Sequence, residues 1–395
     1  MMKRKLAVVL LVVFSLSMVL SACGSGSSGG QSSTPEQSTA PAAPSGGTAS
    51  GAASGEVPAD ATGVYAESGI KGVDPYAKSD NPDKIVIKVS NQDRDFDSHP
   101  KNWGIKRYLT QIKSELGDKV EFQVYFNGSL GTSAEDVLGA LQNGSLEMAT
   151  WSLGSFSGYT DAFLPLDLLY YINSFEEGYE ALCGEVGQIM RDRCLEQTGL
   201  MPLMYGTIGM RQITNSKKPV CGPEDLVGMK IRTQSNNFHI KGFEAFNASP
   251  TGIAYAELYT ALQQGVVDAQ ENPIANIYDQ NFSEVQKYLT VSNHLFTADC
   301  VVVSKAFYDS LPQEFQDAFQ NAIPIGMDVA YSGVCEQESL QLEELGQSME
   351  ITTLTEDQFE SMKAVAETSW DSLIAQMDKD YFERVDTALE ALRAG

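Results

Sequence analysis

Apolar and polar positions alternate along most of the chain in two rhythms. Ile85-Val86-Ile87-Lys88-Val89 is a β-branched run suited to a buried strand. Beyond it Trp103, Tyr108, Leu109 and Ile112 recur at helical spacing, with Lys and Gln between them. Val120, Phe122, Val124 and Phe126 then alternate with Glu121, Gln123 and Tyr125, a period of two. Asn127-Gly128 predicts a turn after that strand. Ala134 to Leu141 reads as a helix closed by Asn143-Gly144, and Met148 to Trp151 opens another strand. This β-α-β-α-β order predicts a mostly parallel sheet with helices on its faces, and the length predicts two lobes rather than one core. Tyr255, Leu258, Tyr259 and Leu262 mark a further amphipathic helix ended by Gly265. From Pro312 onward nearly everything reads as helix. Pro324 falls inside a long one, Phe315 to Leu345, where a missing donor and a steric clash predict a kink or a break.

The N-terminus breaks this rhythm. Lys3, Arg4 and Lys5 precede an apolar run from Leu6 to Leu20, the length of a signal-peptide core and short for a bilayer span. Leu20-Ser21-Ala22-Cys23-Gly24 follows and looks like a bacterial lipobox. The expectation is a signal peptide over residues 1–22 and a lipidated Cys23; the alternative is an ordinary secretory signal with a chance Cys. Of the 39 residues from Gly24 to Thr62, 33 are Gly, Ser, Ala, Pro or Thr. Residues 23–62 therefore read as a flexible tether with a reach of roughly 35 Å, and residues 63–82 as a linker.

Charge then narrows the partners. The chain carries 52 Asp and Glu against 27 Lys and Arg, a formal net charge of −25. That excludes phosphate-neutralising contacts with nucleic acid and basic docking on an anionic membrane. The three basic and three acidic residues up to position 62 cancel, so the acidity belongs to the folded part. An anionic ligand would need a local cluster of Arg.

Export permits disulfides. Beyond Cys23 there remain Cys183, Cys194, Cys221, Cys300 and Cys335, an odd number with no C-x-x-C and no zinc spacing. Cys183 and Cys194, placed on one helix, would lie about 16 Å apart, too far to bridge. Mostly buried free thiols are expected. His99, His239 and His294 are too scattered to suggest a metal site, and no cofactor motif is present.

One ordered set of motifs is specific. Gly209-Met210-Arg211-Gln212-Ile213-Thr214-Asn215-Ser216 precedes Pro223-Glu224-Asp225-Leu226-Val227-Gly228-Met229-Lys230-Ile231-Arg232. Ala248-Ser249-Pro250-Thr251 follows, then the stretch from Glu257 that ends Gln270-Glu271-Asn272-Pro273. His99-Pro100, Tyr125-Phe126-Asn127-Gly128, Leu130-Gly131, Leu164-Pro165-Leu166, Gln286-Lys287-Tyr288-Leu289 and Asn293-His294 complete it. From about Lys84 to the C-terminus the chain resembles the extracytoplasmic solute-binding subunits of TRAP transporters, the DctP-like family.

That resemblance implies an α/β, two-lobed periplasmic-binding-protein clamshell. Each lobe is a mixed, mostly parallel sheet flanked by helices, and a long helix connects them. Lobe I would take residues 83–208 and 297–337, and lobe II residues 209–296 and 338–395. It implies that Arg232 binds a ligand carboxylate, that Arg211 lies in the cleft and that Asn272 lines the site. Ser235 stands where the family places a ligand-contacting polar residue, and Tyr255 where an aromatic packs on the ligand. Trp151 and Asn91 sit at strand ends facing the cleft. Ala269 departs from the family's usual Gly, which would strain the loop if that position needs a positive φ.

The residues themselves support the Arg assignment. Met229 to Arg232 is strand-like, and open α/β sheets bind ligands beyond the carboxyl ends of their strands. A guanidinium holds a carboxylate with a planar fork that Lys lacks. The alternative for either Arg is a pairing with an acid across the lobes, and for Asn272 a turn before Pro273. The expected protein is a monomeric, lipid-anchored, extracytoplasmic receptor that passes a small organic acid to a membrane permease. A ligand-presenting co-receptor for a sensor would share the cleft. A secreted hydrolase lacks support, since no G-x-S-x-G, H-E-x-x-H or P-loop motif occurs.

Overall fold

The computed structural model describes residues 61–395 apart from 94, 96 and 98; the signal segment, Cys23 and the tether as far as residue 60 lie outside the described residues. A short helix, α1 (Gly63–Glu67), opens the stretch read as a linker and packs the Tyr65 ring at a tilt against Trp103. Strand β1 (Ile85–Asn91) leads to α2 (Pro100–Leu116) and β2 (Val120–Tyr125); α3 (Ala134–Asn143) leads to β3 (Met148–Ser152). Both β2 and β3 pair with β1 in parallel, as the β-α-β-α-β order requires. Local chemistry sets the boundaries. Ser133 caps α3 by accepting from the Asp136 N–H, and Gly144 closes it at φ +77°.

Helices α4 (Phe175–Cys183) and α5 (Glu185–Thr198) bring the chain to β4 (Leu200–Asn215), the strand that joins the two halves. The second half runs β5 (Lys230–Thr233), α6 (Asn237–Ala245), β6 (Ser249–Gly252), α7 (Tyr255–Gln263), β7 (Ala269–Pro273) and α8 (Ile274–Asp279). Strands β8 (Tyr288–Val291) and β9 (Phe296–Ser304) return, followed by α9 (Lys305–Ser310) and the 33-residue α10 (Gln313–Leu345). Strand β10 (Glu350–Thr353), α11 (Glu356–Glu367), α12 (Trp370–Ile374) and α13 (Lys379–Ala394) end the chain.

The strands hydrogen-bond in the order β2-β1-β3-β9-β4-β7-β5-β6, with β8 beside β4 and β10 beside β8. The first part of β4 pairs with β9 and its last five residues pair with β7, both antiparallel. Within the β9 pairing, just before β7 takes over, the register shifts at Thr207 to Gly209, and Gly209 sits at φ +121°, which a side chain would strain. The sheet thus changes partners between Met210 and Arg211, directly after the second of two irregularities on β4, and α10 spans the same two halves.

Several expectations change. Pro324 does not break α10, which runs unbroken through it. Just beyond it α10 packs tightly on α2, where a Cβ on Gly104 would clash with the Gly326 carbonyl oxygen. The C-terminal region contains a strand, β10, because Glu350–Thr353 pairs in parallel with β8. Residues 338–395 do not all side with the second half. Leu373, Tyr381, Val385 and Leu389 pack into the first-half core with Leu182, Val186 and Met190. Cys183 and Cys194 lie on different helices, separated by Gly184. Of the free thiols, Cys194 and Cys300 are buried while Cys183 and Cys335 are exposed. Ala269 lies buried in β7 without a positive φ, so no strain arises there.

Candidate functional site

A cavity of about 240 Å³ lies where the two halves face each other. The first half contributes the segment after β1, the start of α2, Trp151 and Ser152 at the end of β3, and Asp299 of β9. The second half contributes Arg211 of β4, Arg232 and Ser235 at the end of β5, Tyr255 opening α7, Asn272 of β7 and Asn276 of α8. Strand ends on both sides thus converge on one space.

Arg232 is 2% exposed and held from one side only. Its Nε and Nη2 donate to the Ile253 carbonyl oxygen at 2.9 and 2.7 Å, while Nη1 has no partner. Burial lowers its pKa to about 10, opposed by Glu271, so it stays charged at neutral pH. The result is a fixed cation with a free, desolvated donor at the cavity wall.

Arg211 is as deeply buried but differs in one respect. Its Nε and Nη2 form a fork on the Glu271 carboxylate, and Nη2 also reaches the Glu271 carbonyl at 2.6 Å and Asn272 Oδ1 at 3.1 Å. Burial alone would raise the Glu271 carboxyl, but Arg211 and then His294 hold it well below the carboxylate range. Arg211 therefore lines the cavity with its charge already matched by the neighbouring strand. Asn272 is likewise engaged, its amide nitrogen on Gln270.

Six of the seven residues singled out from the sequence surround this cavity: Arg232, Arg211, Asn272, Ser235, Tyr255 and Trp151. Asn91 does not line it. Its Oδ1 accepts from the Asp93 N–H, turning the side chain into its own loop, and Gln92 and Asp93 face the space instead. Trp151 presents an unpartnered Nε1, and the Tyr255 hydroxyl accepts from Asn276 at 3.0 Å.

One group escaped the sequence reading. Lys101 of α2 donates to Asp299 Oδ2 at 2.6 Å and lies 3.1 Å from Asp93 Oδ2. Lys101 and Asp299 are each 1% exposed. Burial disfavours the Lys101 charge, but Asp299 and Asp93 more than restore it and push its pKa up. The same cation holds Asp93 down against its own burial. The pairing spans 198 residues of sequence, so no local signal could have shown it.

Comparison with known proteins follows the same lines. Residues 96–377 match the model of the DctP family, bacterial extracellular solute-binding protein family 7. The C4-dicarboxylate-binding periplasmic protein DctP of Rhodobacter capsulatus is 32% identical over 303 residues, covering 76% of this chain and 87% of that protein. A TRAP periplasmic solute-binding protein from Ochrobactrum anthropi, solved with its C-terminus in the ligand-binding pocket, is 32% identical at a TM-score of 0.71. The match covers 79% of this chain and 96% of that one. Another from Sulfurospirillum deleyianum, solved with succinate, is 28% identical at a TM-score of 0.70, covering 77% and 98%.

Proposed function

Since the chain belongs to family 7 of the bacterial extracellular solute-binding proteins, the DctP family, we propose that it captures a small organic acid outside the cytoplasm and delivers it to a TRAP-type membrane permease. The observation that carries this is Arg232. A buried cation with an unpartnered Nη1 at a cavity wall is complementary to a carboxylate oxygen. Relatives named or solved with dicarboxylates agree with an acid ligand.

The two halves close over the ligand by a hinge, and the ligand shifts that equilibrium by binding the closed form better. The register shift and positive φ near Gly209, on the strand shared by both halves, suit such a hinge. The lobes we assign keep the sequence boundaries except at the C-terminus, where α12 and α13 go with lobe I. No bond is made or broken in the ligand, and the receptor works as a monomer. Cys23 carries the lipid, and the tether after it keeps the receptor near the permease; the mass of the N-terminal peptide from membrane-extracted protein tests this.

Titration calorimetry with organic acids tests the site. Arg232→Ala is expected to cost about 2–5 kcal/mol of affinity, the range for truncating one member of a buried charged pair. Arg232→Lys loses much of it too, because an ammonium cannot hold Ile253 and a carboxylate with one plane. Near-wild-type affinity in Arg232→Ala would sink the carboxylate site.

A further inference from the structure

One rim of the cavity is closed by the protein alone. Gly154 and Gln234 line the cavity from opposite halves, and they touch. A Cβ on Gly154 would lie 2.6 Å from Gln234 Oε1 and 3.2 Å from Asp167 Oδ1. Gly154 and Asp167 belong to the first half, on segments whose Leu153, Phe156, Leu164 and Leu166 enter its core. Asn236 and His239 face them from the start of α6, whose Phe243 sits in the second-half core. The polar groups here pair across the halves. The Asp167 carboxylate accepts from Asn236 Nδ2 at 2.7 Å and from His239 Nε2 at 2.9 Å. A carboxylate only accepts, so Nε2 carries the proton. Asn236 Nδ2 also reaches the Gly154 carbonyl at 2.9 Å, and Asn236 Oδ1 caps α6 on the Phe238 N–H.

Asp167, Asn236 and His239 are all buried, and Phe238 beside them packs into the first-half core. They stand behind the rim and do not line the cavity. Both Asp167 oxygens are thus spent on the other half, and neither bond involves a ligand. Parting the halves here breaks these bonds and uncovers Phe238; joining them restores the bonds in a dry contact. We propose that Asp167, Asn236 and His239 form a latch that holds the closed form, setting how tightly any ligand is kept without choosing which one. This rests on the hinge closure proposed above. Apparent affinity falls in proportion as the binding-competent form is depopulated. A latch therefore scales all ligands alike, whereas a residue that touches the ligand changes their order.

Titration calorimetry with succinate, pyruvate and D-gluconate compares the wild type with Asp167→Ala and Asn236→Asp. The second variant keeps the α6 cap and turns a donor into a like charge against Asp167, so it carries the test where Asp167→Ala fails to fold. Both are expected to weaken every acid that the wild type binds by one common factor, about tenfold, through faster dissociation. Unchanged affinity, or a changed order of the three acids, overturns the latch. Hydrogen exchange reads the rim without ligand: Asn236→Asp is expected to speed exchange at residues 154–156, across the cleft from the substitution. Should none of the three acids bind, equal exchange there overturns the latch. Solution scattering separates the latch from the hinge. A wild-type radius of gyration that does not shrink when a bound acid is added overturns hinge closure and the latch with it. Shrinkage in the wild type, with both variants binding as the wild type does, overturns the latch and leaves the hinge standing.

Discussion

Two buried Arg residues of similar environment are expected to behave in opposite ways. Glu271→Gln leaves Arg211 charged, desolvated and without its counter-ion, and should cost about 3–5 kcal/mol of stability in urea unfolding. Arg232 makes no ion pair among the described residues and its Nη1 has no partner, so Arg232→Ala should cost about 2–5 kcal/mol of affinity while moving the unfolding midpoint little. Equal destabilisation by both would contradict the unpaired state of Arg232. His99 gives a third residue-scale prediction. Its Nδ1 accepts from the Lys101 N–H to cap α2, and its Nε2 donates to Asn276 Oδ1 at 3.0 Å, so the capped form is the neutral imidazole. Burial, with Lys101 beside it, lowers its pKa to about 4. Unfolding returns it to about 6.5, so the unfolded chain binds the extra proton between these values and stability rises with pH across that window. The gain is about 3 kcal/mol, at 1.36 kcal/mol per unit. Thermal melts from pH 4 to 7 should show His99→Asn, which retains a capping oxygen, with the shallower slope; identical slopes would remove His99 as the titrating group.

At the scale of elements, the crossing of α2 and α10 holds the first half to the long connecting helix. A Cβ on Gly104 would meet the Gly326 carbonyl oxygen at 2.4 Å and Ala330 Cβ at 2.6 Å, both on a rigid helix. Gly104→Ala is therefore expected to cost about 1–3 kcal/mol by overpacking, although Ala is the better helix former. A melting temperature above wild type would refute that close approach. This contact also marks where sequence reading stops. The strands β1, β2 and β3 were legible because their periodicity is local, and α7 for the same reason. The unbroken course of α10 through Pro324 was not, because the local signal of a proline is to stop or kink a helix. Strand β10 was missed because four residues paired to β8 carry little periodicity of their own. The site divides likewise. Arg232, Arg211 and Asn272 stood in recognisable motifs, whereas the pairing that neutralises Arg211, and the Lys101 cluster, exist only after folding. Asn91 occupied the right strand end, but its side chain serves the loop rather than the cavity.

For the whole molecule, the acidity now weighs differently. The formal charge is −25, and near the ligand the Arg211 and Glu271 charges offset each other. Arg232 alone is left to oppose the global field, and it acts only at contact because it is buried. A carboxylate ligand, as proposed, would therefore approach against a negative potential and bind at a site that salt barely reaches. Raising ionic strength from 0.01 to 0.15 M shortens the screening length from about 30 to 8 Å. The association rate should then rise severalfold, opposite to the fall seen where charge steers a ligand inward. The dissociation rate should change little, since the contacts that hold the ligand are desolvated. Trp151 lines the cavity and is 4% exposed, so stopped-flow tryptophan fluorescence reads both rates directly. An association rate that falls with salt would instead require a positive funnel at the cleft mouth. That would run against the formal charge of −25 carried by the chain.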